Sequence, residues 1–252
     1  MSSENNANLI DRLFTAGAHF GFQKSRRHPT VAPYIYGTKE GTDIFDLEQS
    51  VALIEDAKAF LNEAGTKGKT VLFVGTKEEA SKLVKAAAEK AESPVVANRW
   101  IGGLLTNFQE IKKRVARLKT LTEEGESGEL ERKYTKKERV LIGRETDKLT
   151  FNFGGVKDMD KIPHVMVVVD PRHDVIAVAE ANDLNIPIVA IMSSDCDAAK
   201  VTKPVIVNDA LTTSIELVLN ELAEAYKAGK EKFVPAPEKS RSGYRPGRRR
   251  DV

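Results

Sequence analysis

Four sets of residues in this sequence are of types that do chemistry. Gly75-Thr76-Lys77 follows an apolar run of strand length and opens a helical pattern. Backbone amides at such a helix start, backed by the helix dipole, hold phosphate groups. Neither the G-x-G-x-x-G nor the G-x-x-x-x-G-K-[ST] spacing is present, so a tight turn is the stronger reading and Lys77 is kept as a residue that can touch an RNA phosphate. Asp170, His173 and Asp174 lie at the carboxyl end of another apolar run, where α/β enzymes place their sites. A strand-ending turn with Asp174 as a helix cap explains them better. Cys196, in Ser-Ser-Asp-Cys-Asp, has no basic neighbour to lower its pKa and reads as an inert loop thiol. The histidines are His19, His28, His164 and His173, none spaced three to five residues from another His or Cys, so no metal cluster is visible. No catalytic residue, metal, cofactor or small-molecule substrate is expected.

The basic residues say more. Lys24, Arg26 and Arg27 precede Pro29, in a segment that also carries Phe20, Phe22, Tyr34 and Tyr36. Arg99-Trp100 stands at a strand end before Gly102-Gly103, with Lys112, Lys113, Arg114, Arg117 and Lys119 just beyond. Positive side chains interleaved with aromatics at several separate places suit a ligand with phosphates and stackable bases. No helix-turn-helix or finger pattern favours DNA. Lys24, Arg26, Arg27, Lys77, Arg99, Trp100, Lys112, Lys113, Arg114 and Arg117 are therefore the candidate RNA contacts.

The elements that must position them follow from hydrophobic period. Two β-prone runs around Thr38-Lys39-Glu40-Gly41 predict a hairpin. Asp46 with Gln49 opens a helix carrying Leu47, Val51, Ile54, Ala57 and Leu61. Strands are predicted near 70–74, 94–97, 165–169 and 186–191, with helices near 77–92, 174–182 and from Leu211 to Tyr226. Strands apolar on both faces that alternate with helices indicate a parallel sheet covered on both sides, an α/β architecture. Phe108, Ile111, Val115 and Leu118 form a narrow coiled-coil seam. Thr135 and Glu138 form a capping box that opens a second helix with Leu141 and Leu149 as its seam. The expected organisation is a disordered tail over 1–8, an α/β domain over 9–103 and 151–228, an inserted, protruding helical hairpin over 104–150, and a basic disordered tail over 229–252.

Composition bounds the rest. The 252 residues are 41% hydrophobic, enough for a real core, and one cysteine excludes a disulfide framework. The longest apolar stretch, Ile186 to Met192, is too short to span a bilayer, and the polar start MSSENNAN is not a secretory signal. A membrane partner is not expected, and the compartment is read as cytoplasmic. With 39 basic and 37 acidic residues, only the distribution of charge names a partner.

Several blocks together resemble the bacterial small-subunit ribosomal protein family numbered two, S-two. They are Gly17-Ala-His-Phe-Gly21, Pro33-Tyr-Ile-Tyr-Gly37, Ile44-Phe-Asp-Leu47, Leu72-Phe-Val-Gly-Thr-Lys77 and Asn98-Arg-Trp-Ile-Gly-Gly-Leu-Leu-Thr-Asn-Phe108. Thr135-Lys-Lys-Glu138, Gly154-Gly-Val-Lys-Asp-Met159 and the stretch from Pro163 to Pro187 continue them in family order over roughly residues 9–228. The resemblance implies a Rossmann-like, flavodoxin-like domain with a helical hairpin, without catalytic activity, that binds small-subunit rRNA between head and body. It also implies neighbouring small-subunit proteins as partners and help in docking the mRNA-binding protein S-one. The chain departs from the family at Phe22, where a second histidine is usual, and at Ser193-Ser194-Asp195, Ala198 and Ile206–Ala210. His19 is accordingly read as a histidine that donates a hydrogen bond to backbone, not as a zinc ligand. The alternative to a structural RNA-binding protein is an α/β enzyme acting on a nucleotide or phosphorylated metabolite.

Overall fold

Runs of β-branched and aliphatic residues bounded by polar turns give the central sheet its strands. A computed structural model describes residues 2–233 of the chain. The parallel sheet holds β4 (Val71–Val74), β5 (Val95–Val96), β6 (Val165–Val169), β7 (Ile188–Met192) and β8 (Lys203–Ile206) in the order β5-β4-β6-β7-β8. Renumbered within the sheet this is 2-1-3-4-5, the flavodoxin-like winding. A smaller antiparallel sheet, β1 (Phe20–Gln23), β2 (Ile35–Lys39) and β3 (Thr42–Phe45), has the order β1-β3-β2. The β2–β3 turn puts Glu40 and Gly41 at φ 52° and 80°, the left-handed pair of a tight hairpin.

The period of two along the strands builds two cores. Val71, Phe73, Val165, Val167, Val169, Val189 and Ile191 face one side, where α1 (Ser2–Thr15), α2 (Leu47–Thr66), α3 (Glu78–Lys90) and α8 (Thr212–Glu231) cover them. Leu72, Val74, Met166, Val168, Ile188, Ala190 and Met192 face the other, against α7 (Val175–Asp183) and the root of the insertion. Asp46 caps α2 by accepting the amides of Glu48 and Gln49, as its spacing predicts.

The insertion between β5 and β6 consists of α4 (Phe108–Glu126), a short α5 (Glu129–Lys133) and α6 (Lys136–Phe153), with α4 and α6 packed together. Phe108, Ile111, Val115, Leu118 and Leu121 form the buried seam of α4. The Glu138 carboxylate accepts the amide of Thr135 and the Thr135 side chain accepts the Glu138 amide, the two bonds of the capping box. The seam of α6 differs from expectation: Leu141 is exposed, and half-buried Ile142 joins Leu149 and Phe153 instead. Ile142, Leu149 and Phe153 recur at seven and four residues, so the seam keeps Leu149 as expected and only its first position moves, from Leu141 to Ile142.

Two other differences are physical. Helix α1 begins at Ser2, within the segment expected as an N-terminal tail, and it buries Leu9 and Leu13 against the first core. Strand β8 includes Pro204, a residue confined to edge strands, and β8 is the sheet's edge. Of the basic segment 229–252, α8 takes the part up to Glu231; residues 234–252 lie outside the described residues.

Candidate nucleic-acid interface

The candidate RNA contacts fall on four separate supports. Lys24, Arg26 and Arg27 follow β1, Lys77 follows β4, Arg99 and Trp100 follow β5, and the remaining four ride on α4. Their exposures divide them further.

Lys24 and Arg26 are exposed, and the Arg26 guanidinium lies 5.7 Å from the centroid of the Phe22 ring. Arg27 instead turns inward: its Nε donates to Asp43 Oδ2 at 2.8 Å and its Nη2 donates to Asp43 Oδ1 and Thr38. That fork is a bidentate, charge-assisted pair, and the Arg27 bonds hold the buried Asp43 carboxyl below its ordinary range. Its work is to join the β1 end to the β2–β3 hairpin.

Arg99 is exposed and makes no ion pair among the described residues. Trp100 is only 8% exposed and donates its Nε1–H to Glu180 Oε1 at 3.0 Å, so its ring is not offered to a base. On α4, Lys112, Lys113, Arg114 and Arg117 all face solvent. Lys113 pairs with Glu110 at 2.6 Å and Arg117 approaches Glu145 at 3.5 Å, whereas Arg114 has no ion pair among the described residues.

Between α4 and α6 lies a cleft of about 600 Å³ lined by Gly103, Asn107, Arg114, Glu145, Lys148 and Asn152, with Ile111 and Leu149 beneath. Lys148 is exposed, also lacks an ion pair among the described residues, and was not among the predicted contacts. The signal for it was the seam Ile142, Leu149 and Phe153, which puts Glu145, Lys148 and Asn152 beside α4.

The crevice at the carboxyl ends of β4 and β6, where a flavodoxin-like sheet binds ligands, is filled by the chain itself. Asp174 does not cap α7 with its side chain; its carboxylate accepts the Thr76 amide at 3.0 Å and the Thr76 hydroxyl at 2.7 Å. The Lys77 ammonium donates to Asp170 Oδ2 at 3.0 Å and to the Asp209 carbonyl at 3.0 Å. A phosphate in this position would meet carboxylates in place of free amides, and Lys77 is held back from RNA by its own acids. Asp170, at φ 61°, accepts the amides of Arg172 and His173 and so makes the expected strand-ending turn.

Burial and the neighbouring Asp170 push the Asp209 carboxyl up to about 7, because they outweigh the pull of Lys77. The buried Cys196 thiol is driven well above its ordinary value by burial and the same acids, and it donates toward Asp195. Asp170, Cys196 and Asp209 bring ligand atoms within 4.8 Å of one another, a spacing that could hold a metal ion. The Lys77 ammonium already supplies the positive charge there, 3.6 Å from Asp209 Oδ1. His19 takes no part in that cluster. Its ring is stacked on Phe14 and tilted on Phe20, at 4.6 and 4.0 Å between centroids, and its buried Nδ1 has no hydrogen-bond partner, contrary to the expected bond to backbone.

Among the described residues no helix is long and apolar enough to cross a membrane. A family model described as ribosomal protein S2 matches residues 13–229. The small ribosomal subunit protein uS2 of Picosynechococcus is 43% identical over 221 residues, covering 88% of this chain and 86% of that protein. The protein uS2c of Trieres chinensis is 42% identical over 221 residues, 88% and 96% of the two chains. The uS2 protein of Solidesulfovibrio magneticus is 42% identical over 220 residues, 87% and 85% respectively.

Proposed function

The chain belongs to the ribosomal protein S2 family, and from that premise we propose that it binds small-subunit rRNA through the exposed basic residues of α4 and of the loops after β1 and β5. A structural, non-enzymatic role in the small ribosomal subunit goes with the family. The observation that carries the RNA reading is the division of α4: its apolar seam is buried while Lys112, Lys113, Arg114 and Arg117 are left facing solvent. Lys24, Arg26 and Arg99 extend the basic surface, and Lys148 joins Arg114 across the cleft. Arg27, Lys77 and Trp100 support this surface from within the fold. The alternative of a nucleotide-directed enzyme is disfavoured by the Asp174–Thr76 and Lys77–Asp170 bonds, which fill the ligand crevice.

Cross-linking of the chain to RNA in assembled small subunits tests the reading. Adducts on peptides containing Arg99, Arg114 or Lys24 are expected; adducts confined to other faces would overturn it. Docking of the S-one protein, neighbouring small-subunit proteins as partners and a cytoplasmic place of work are further parts of the proposal, supported by family membership. Omission of this chain from reconstituted subunits should then lower S-one occupancy.

A further inference from the structure

Glu180 stands on α7, whose Ala177, Val178 and Ala181 pack against the sheet, so its carboxylate is fixed to the α/β body. Glu180 is 7% exposed, and its carboxylate gathers five donors from one short segment. Oε1 accepts Trp100 Nε1 at 3.0 Å and the Gly103 amide at 2.8 Å. Oε2 accepts the Leu105 amide at 3.0 Å, the Thr106 amide at 3.1 Å and the Thr106 hydroxyl at 3.1 Å. All five donors lie between β5 and the first turn of α4. The bonds outweigh burial and hold the Glu180 carboxyl below its ordinary range, so it is ionised when it binds them.

The other root of the hairpin is held differently. The Asn98 side-chain Nδ2 donates to the Phe151 carbonyl at 2.7 Å. Gly155 passes so close to β5 that a Cβ there would lie 2.2 Å from the Val95 carbonyl oxygen. The α6 root is thus fixed to β5 by close backbone approach, whereas the α4 root, besides burying Leu104, Leu105 and Phe108 in the core that α7 shares, gathers its polar bonds on one charge of α7.

We propose that Glu180 is the positioning residue that sets the direction in which the α4–α6 hairpin leaves the body, and through it the placement of the basic α4 face on RNA. The second half rests on the rRNA-binding reading; the first half does not. Glu180→Gln keeps the shape but replaces one acceptor oxygen with an NH2 donor. Whichever way the amide turns, two N–H groups, one of them buried, face a donor: Trp100 and Gly103, or Leu105 and Thr106.

Spin labels at Ser127→Cys, beyond the end of α4, and Ala86→Cys, on α3, read the hairpin direction as a distance distribution; both positions are exposed and Cys196 is buried. The unsubstituted background should give one narrow distribution. In E180Q it should broaden or shift, with the circular dichroism of the body retained, and binding to small subunits depleted of this protein should fall about tenfold. If E180Q does not fold, Trp100→Phe, which removes one donor and leaves α7 intact, should give a smaller broadening. An unchanged distribution in the folded variants overturns the positioning role. A changed distribution with unchanged subunit binding overturns its link to RNA placement. Failure of the unsubstituted chain to bind subunits refutes the functional reading and leaves the distance result standing.

Discussion

The Lys77 ammonium lies 3.0 Å from Asp170 Oδ2, binding the first turn after β4 to the first turn after β6 at the point where an α/β sheet divides. Asp209, after β8, is the second acid on the same ammonium, at 3.6 Å. The Lys77 side chain is 16% exposed, so its loss strands two acids in a poorly hydrated site. Lys77→Met should cost about 3 kcal/mol in urea unfolding. It should leave the salt dependence of RNA binding unchanged, and a reduced salt slope would return Lys77 to the interface.

Reversing the charges of Lys112, Lys113, Arg114 and Arg117 should flatten the plot of log affinity against log salt. Each phosphate contact removed takes roughly 0.7–0.9 from the slope. The seam residues of α4 are not touched, so melting should change little. An unchanged slope would show that α4 does not meet the phosphates.

Asp209 gives a pH dependence with a definite sign. Its folded carboxyl titrates near 7, whereas an unfolded one titrates near about 4. Between those values the folded chain binds the proton and the unfolded chain does not, so this group's contribution to stability falls as pH rises from about 4 to 7 and is level above. Asp209→Asn should remove that decline, which denaturant titrations at a series of pH values would record. An identical pH profile in the variant would contradict the assignment.

The purified protein should carry no stoichiometric zinc, and chelator should leave its melting temperature nearly unchanged. The cluster of Asp170, Cys196 and Asp209 is neutralised by an ammonium, and its thiol is held protonated. Near one equivalent of zinc by elemental analysis, lost on Cys196→Ala, would show the opposite.

The α/β order, the hairpin seam of α4 and the caps at Asp46 and Thr135 were legible because each rests on local period or local hydrogen bonding. What the sequence hid was non-local. Arg27 and Trp100 look like surface groups until Asp43 and Glu180 arrive from distant segments. Asp174 looks like a cap until Thr76 reaches it across 98 residues. Strand β8 is not legible in sequence, because Pro204 within Lys203-Pro204-Val205-Ile206 argues against a strand unless its place at the sheet edge is known. In the α6 seam Leu149 is legible but the first position is not, because Leu141 and Ile142 are equally apolar and only packing against α4 chooses between them.

Sedimentation with small ribosomal subunits depleted of this protein tests the central claim most directly. The account predicts that the chain co-sediments at one copy per subunit in low salt and is released as salt rises, with the α4 charge-reversal variant released earlier. A chain that stays at the top of the gradient in low salt, or one that the α4 reversal leaves bound at every salt concentration, would contradict it.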